Sequence, residues 1–193
     1  MARRKQVSDE QLVGMARKTF LELGTQISVA VIAKRLGVTP AALFHRVGSK
    51  EELVRKALSP GALPERTLLQ AGYEPGVPPA KQLEEILVGI GRFMSSSVPA
   101  YFLMHAGGVP TPAMLKGRPT PEPQLITVRR ELSAWLTQAF KSGRMQKKRA
   151  DLLANIFVGT LEGHFMHAYL RGVDYDEKKN RAFAKDLVRE FLG

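Results

Sequence analysis

The sequence predicts an all-α chain of two domains, and three observations carry that prediction. Apolar residues recur at three- and four-residue spacings over most of the 193 positions, the period of helices with one buried face. The Val/Ile/Thr alternation that marks strands is scarce. Ten of the 12 prolines lie in two stretches, 59–79 and 107–123, with only Pro40 and Pro99 outside them. Proline lacks a backbone donor and clashes inside a helix, so both stretches read as loops. The first closes off an N-terminal domain at residues 1–58. The second domain is 59–193, with its helices in 78–193. No internal repeat and no low-complexity tract is present.

Four short helices are delimited by their caps in the first domain, and the first three form a bundle. Ser8-Asp9-Glu10-Gln11 has the capping-box form, in which the Ser8 oxygen takes an amide hydrogen and Gln11 reaches back. Leu12, Ala16, Phe20 and Leu23 follow as one apolar stripe, and Gly24 is placed to end the helix in a left-handed conformation. Ser28 caps a second helix, Val29–Leu36, which Gly37 ends. Thr39 followed by Pro40 opens a third, because the first helical amide needs no partner. It continues from Ala41 to Val47. Ser49-Lys50-Glu51-Glu52 reads as another capping box, opening a fourth helix with Leu53, Ala57 and Leu58 inward.

Only Gly37-Val38-Thr39 separates the second helix from the third. The two must therefore turn sharply, with Ala33 small enough for close approach and Ile32, Leu36, Val38 and Leu43 filling the wedge. This is the spacing of a helix-turn-helix, whose second helix enters the DNA major groove.

Charge points to the same partner. The chain carries 29 Lys and Arg against 18 Asp and Glu, a net +11. Residues 1–60 hold +6, residues 61–125 are neutral and residues 126–193 hold +5. A protein this basic faces a polyanion. A membrane surface would call for one long basic amphipathic helix, and none is evident. No run approaches the roughly 18 apolar residues that span a bilayer. Met1-Ala2-Arg3-Arg4-Lys5-Gln6 is charged where a secretory signal would become apolar, so a cytoplasmic location is expected. Arg3-Arg4-Lys5 reads equally as a solvated tail or as an arm along DNA.

The run from Ile32 to Leu53, IAKRLGVTPAALFHRVGSKEEL, resembles the N-terminal domain of the tetracycline-repressor (TetR) family, and the full resemblance covers residues 8–58. It implies that Thr39, Pro40, Ala41 and Ala42 open the recognition helix and meet base edges and phosphates. Phe44 stands where the family usually places a tyrosine that contacts phosphate. Phenylalanine has no hydroxyl to make that contact, and the ring is expected mainly to pack. His45 and Arg46 then become the polar groups of this helix. Lys50 occupies the place of a phosphate-binding lysine, reinforced by the helix N-terminus. With Ser28 and Val29 at the start of the helix before, these residues make up the expected DNA-binding set. Ala41 and Ala42 offer only methyl contact, so other side chains or DNA shape must add to the readout.

In the second domain Leu83, Ile86, Leu87, Ile90, Phe93 and Met94 form one helical stripe, which Pro99 is expected to interrupt. Leu125, Val128, Leu132, Trp135, Leu136 and Ala139 form another, ending at Gly143. A third helix runs over Asp151–Leu170 and a fourth over Lys178–Leu192. The last two are amphipathic enough to pair with symmetry mates in a four-helix bundle. The resemblance implies a homodimer through the same pair. Phe157, Thr160, His164, His167, Phe183, Leu187 and Phe191 are the expected interface residues, and Gly159 and Gly163 would allow close approach. Met94, Tyr101, Phe102, His105 and Trp135 are candidates for a small-molecule pocket, with ordinary core as the alternative. His164 and His167 read as interface groups rather than metal ligands, and Arg144–Arg149 as a solvated connection.

Nothing in the sequence argues for an enzyme. There is no cysteine, hence no disulfide or thiolate site. There is no phosphate loop, HExxH, nucleophile elbow or convincing carboxylate pair. No catalytic residue, metal or cofactor is assigned. Two readings stay open: a repressor released from a pseudo-palindromic operator in double-stranded DNA by an unknown small-molecule effector, or a ligand-independent architectural DNA-binding protein.

Overall fold

A computed structural model of the chain describes residues 7–59, 66–109, 124–146 and 148–192. Nine helices and no strand occur among the described residues: α1 (Asp9–Leu23), α2 (Val29–Leu36), α3 (Pro40–Val47), α4 (Lys50–Leu58), α5 (Arg66–Ala71), α6 (Pro79–Ala106), α7 (Gln124–Lys141), α8 (Ala150–Leu170) and α9 (Glu177–Leu192). They divide between two compact units. The first is Met1–Ser59 with Pro99–Thr120, and the second is Pro60–Val98 with Pro121–Gly193.

In the first unit Leu12, Ala16 and Phe20 of α1 meet Ile32 and Ala33 of α2, Leu43 and Val47 of α3, and Leu53, Val54, Ala57 and Leu58 of α4. Leu23, predicted to join that stripe, is exposed. The Ser8–Gln11 capping box forms in both directions. At Ser49 only half of one forms. The hydroxyl accepts the Glu52 amide, while the Glu52 carboxylate turns to Arg55 and Lys56, charged partners stronger than a neutral amide. Gly24 ends α1 with φ 77° but ψ 170°, outside the left-handed helical basin.

Two expectations fail after α4. α5 lies inside the stretch read as loop. More telling, α6 runs unbroken through Pro99. An interior proline costs about 3 kcal/mol. Leu83, Ile86, Leu87, Ile90, Phe93 and Met94 are all buried on one side of it, each contributing roughly 1.5–3 kcal/mol, and Ala100 is buried on the other side in the first unit's core. Burial therefore outweighs the lost amide. Most of the other proline-rich stretch lies outside the described residues. α6 also corrects the hydropathy reading: it is long and apolar enough to cross a membrane, but most of its apolar length is buried within the protein, as in a core helix.

α7, α8 and α9 complete this core with Val128, Leu132, Trp135, Leu136, Phe157, Leu161 and Leu187. Where α9 meets α6 the packing is tight. A Cβ at Gly91 would fall 2.1 Å from Asn180 Oδ1 and 3.0 Å from Phe165 Cε2. Asn180, itself buried, donates from Nδ2 to the Val88 carbonyl (2.9 Å) and to the Tyr175 hydroxyl oxygen (3.0 Å). Tyr175 in turn donates to Glu177, which also pairs with Arg92 at 2.6 Å. That guanidinium and the tyrosine hydroxyl hold the Glu177 carboxyl below its ordinary range. The Arg144–Arg149 segment is not simply solvated either. Arg144 donates to the Pro75 carbonyl, Lys148 to that of Phe191, and Arg149 pairs with Asp151 at 2.7 Å.

Candidate nucleic-acid interface

Gly37 (φ 69°, ψ 28°) adopts the left-handed conformation between α2 and α3, and its amide donates back to the end of α2. A side chain would be strained there, so this glycine makes the turn possible. Ile32 and Leu43 are fully buried in the wedge, and Leu36 and Val38 are partly buried. Thr39 caps α3 by accepting the Ala42 amide at 3.2 Å, with Pro40 in the first turn. Because the Thr39 oxygen is the acceptor, its own O–H stays available to a phosphate. Ser28 and Ser49 accept in the same way, from the amides of Ala30 and Glu52.

One exposed face of α3 holds Pro40, Ala41, Ala42, Phe44, His45 and Arg46. Two expectations change here. Phe44 packs only in part: the residue is 41% exposed on the helix expected to face DNA. Arg46 is engaged within the protein, donating to the Val7 carbonyl at 2.6 Å and pairing with the Asp9 carboxylate. This brace links residues 37 and 39 positions apart, so no local sequence pattern could announce it. Val29, assigned to DNA contact, is instead a buried core side chain. Ser28 is exposed at the start of α2, and Lys50 is half-buried at the start of α4.

The first unit also contains a joint that the sequence did not suggest. The Thr25 hydroxyl donates to the Leu103 carbonyl (3.3 Å), and Gln26 Nε2 to that of Ala106 (2.8 Å). The Leu103 carbonyl also accepts the Gly107 amide at 2.9 Å, whereas at Ala106, the last residue of α6, the Gln26 side chain supplies a donor where the helix has run out of amides. Leu103, Met104 and Val109 pack on the helix-turn-helix core.

The pocket candidates divide between the two units. Met94 and Trp135 are core side chains of the second. Tyr101, Phe102 and His105 belong to the first, where Tyr101 and Phe102 are exposed and the His105 ring lies edge-on to Tyr101 at 4.3 Å. A cavity of about 460 Å³ in the second unit is lined by Ser133, Thr137, Phe140, Lys141, Lys148, Ala150 and Asp151. None of the five candidates lines it. Of the expected interface residues, Phe157 and Leu187 are buried in the protomer's own core, and Phe183 and Phe191 pack against it. Thr160 is half-buried, while His164 and His167 are exposed along α8. His164 stacks on Phe183 with centroids 4.2 Å apart. Desolvation of that ring, then the charge of His167, lowers its pKa. No cluster of three or more metal-ligating side chains occurs among the described residues.

Residues 12–57 match the family model of bacterial regulatory proteins, tetR family. No curated protein matches the chain. Among solved structures, the TetR family transcriptional regulator PfmR from Thermus thermophilus is 22% identical, covering 93% of this chain and 97% of its own, with TM-score 0.64. The fatty acid degradation regulator FadR from Bacillus halodurans is 17% identical over 99% of this chain and 97% of its own, with TM-score 0.66. A TetR/AcrR-family regulator from Thermobifida fusca is 18% identical over 95% and 98%, with TM-score 0.65. At these identities the structures establish a shared fold along nearly the whole chain. The family model falls on α1–α4, where Gly37 and the Thr39 cap build the helix-turn-helix. Residues 12–57 thus carry the N-terminal domain of the tetR family of bacterial regulatory proteins, and the rest of the chain shares the fold of TetR-family structures.

Proposed function

We propose that the chain is a repressor that binds a pseudo-palindromic operator as a homodimer and leaves it when a small molecule binds the second unit. The exposed face of α3 carries this reading: six consecutive or near-consecutive positions stand out from the fold while Leu43 and Val47 anchor the helix from behind. Two-fold symmetry would set two such helices one DNA turn apart.

The dimer reading is supported by α8. Leu152, Met166 and Leu170 are exposed apolar side chains on it, Leu170 by 64%. They share a side with Gly159 and Gly163, where an added Cβ would meet nothing within 4 Å. A helix apolar on both sides needs a second partner, and a copy of the same helix satisfies closed symmetry. Release by an effector follows linkage: the effector must bind the DNA-free conformation more tightly, and DNA must weaken effector binding equally. The test is selection of genomic fragments by the full chain at physiological salt, followed by footprinting. A short protected inverted repeat is expected. Equal binding to every fragment would replace the repressor with the architectural reading.

A further inference from the structure

From the recognition helix we infer that the operator is read mainly through thymine methyl groups, by an apolar surface made of Pro40, Ala41 and Phe44. This rests on the reading of α3 as the groove-entering helix and adds what that helix recognises.

Two independent observations carry it. The first is what α3 exposes. Pro40, Ala41, Ala42 and Phe44 are all exposed. Phe44 lies three and four positions from Ala41 and Pro40, so these side chains neighbour one another on the helix. None has a donor or acceptor for a base edge. In the major groove, the 5-methyl of thymine is the apolar feature that such a surface can meet.

The second observation is where the arginines are. Arginine, bidentate to guanine, is the commonest specific reader of the groove. Every described arginine of residues 7–59 is committed within the fold. Arg17 donates to the carbonyls of Ala57 and Ser59. Arg35 bridges Thr19 and Glu22. Arg55 holds Glu52 by two bonds. Arg46, alone of the four on α3, turns back to Val7 and Asp9. His45 remains as the polar group on the exposed face, and Lys50 is placed for phosphate, which carries no sequence information. The helix thus turns its arginine back to Val7 and Asp9 and displays four apolar side chains.

The decisive experiment uses the full chain and its enriched DNA site. Each thymine of the half-site is replaced in turn by deoxyuridine, which removes the methyl and leaves base pairing unchanged. We expect one or more positions to lose affinity by about three- to fourfold, the effect of taking one methyl out of an apolar contact. Phe44→Ala should bind the thymine site more weakly and abolish the distinction at one of those positions, whereas Phe44→Leu should retain it. If deoxyuridine and thymine sites bind equally at every position, the inference fails while the regulator reading stands. If no sequence is enriched at all, both fail together.

Discussion

Replacing Gly91 by alanine tests the packing of α9 on α6 at its tightest point. In a helix this change normally stabilises by about 1 kcal/mol through propensity. Here the new Cβ would sit 2.1 Å from Asn180 Oδ1 and 2.9 Å from its Cγ, so the Asn180 side chain must leave. Its two hydrogen bonds, to Val88 and Tyr175, contribute roughly 1 kcal/mol each. Overpacking against Phe165 adds roughly 1–3 kcal/mol. The net is a loss of about 2–4 kcal/mol, or a fall in melting temperature of roughly 5–15 °C for a chain of this size. Gly14→Ala is the control, since nothing lies within 4 Å of its added Cβ, and it should gain up to about 1 kcal/mol. Urea unfolding of both variants, of Asn180→Ala and of the Gly91→Ala/Asn180→Ala double variant closes the cycle. The double variant should lose clearly less than the sum of the two single losses, because the clash with Asn180 is gone and only the contact with Phe165 remains. If Gly91→Ala matches Gly14→Ala, or if its loss simply adds to that of Asn180→Ala, the steric argument is refuted.

Other consequences are checked separately. Lys50→Ala should weaken binding to all DNA sequences alike and reduce the slope of log affinity against log salt by about 0.9, the release of one phosphate's counterion; titrations at several salt concentrations decide it. Arg46→Ala removes an exposed pair with Asp9, so urea unfolding should change by less than about 1 kcal/mol. Replacing Gly159 with tryptophan fills open space on one protomer, so it should convert dimer to monomer in light scattering while leaving helical content unchanged. His164 has its pKa lowered from the ordinary 6.5, by desolvation first and by His167 second. The unfolded chain then takes up that proton at higher pH than the folded one, so its contribution is complete above about pH 6.5 and is lost as pH falls below it. The urea midpoint of His164→Phe should therefore fall less steeply than that of the parent protein on acidification.

The first unit was legible because its signals are local. Ser8, Ser28, Thr39 and Ser49 each accept an amide within three residues, and Gly37 has few alternatives between two helices. Such features depend on a few adjacent residues and survive any tertiary context. Pro99 misled because its rule is local and what overrode it is not: the six buried side chains of α6 find partners on α7, α8 and α9. Phe44 and Arg46 misled for the same reason. Whether a ring packs or an arginine is engaged depends on what folds beside it, and Asp9 is 37 residues away. The pocket candidates drew on Met94 and Trp135, whose apolar periodicity reads alike for a cavity wall and a solid core; the packing makes them core.

The net charge, too, divides by residue type. In the second unit Arg92, Arg129, Arg149, Arg181 and Arg189 all pair with carboxylates, as Arg35, Arg46 and Arg55 do in the first. The planar, multidentate guanidinium braces helices, while exposed lysines such as Lys34, Lys178, Lys179 and Lys185 contribute compact charge to the surrounding field. Attraction to DNA and recognition of its sequence would then depend on different physics. The attraction comes from phosphate neutralisation and weakens as salt rises. Contact between Phe44 and a thymine methyl releases no counterion. A thymine site and its deoxyuridine counterpart offer the same phosphates, so their affinities should fall in parallel between about 50 and 200 mM salt. Their ratio should stay constant across that range. A ratio that collapses with salt would show that the methyl acts through the phosphate backbone, and the apolar reading of α3 would have to be abandoned.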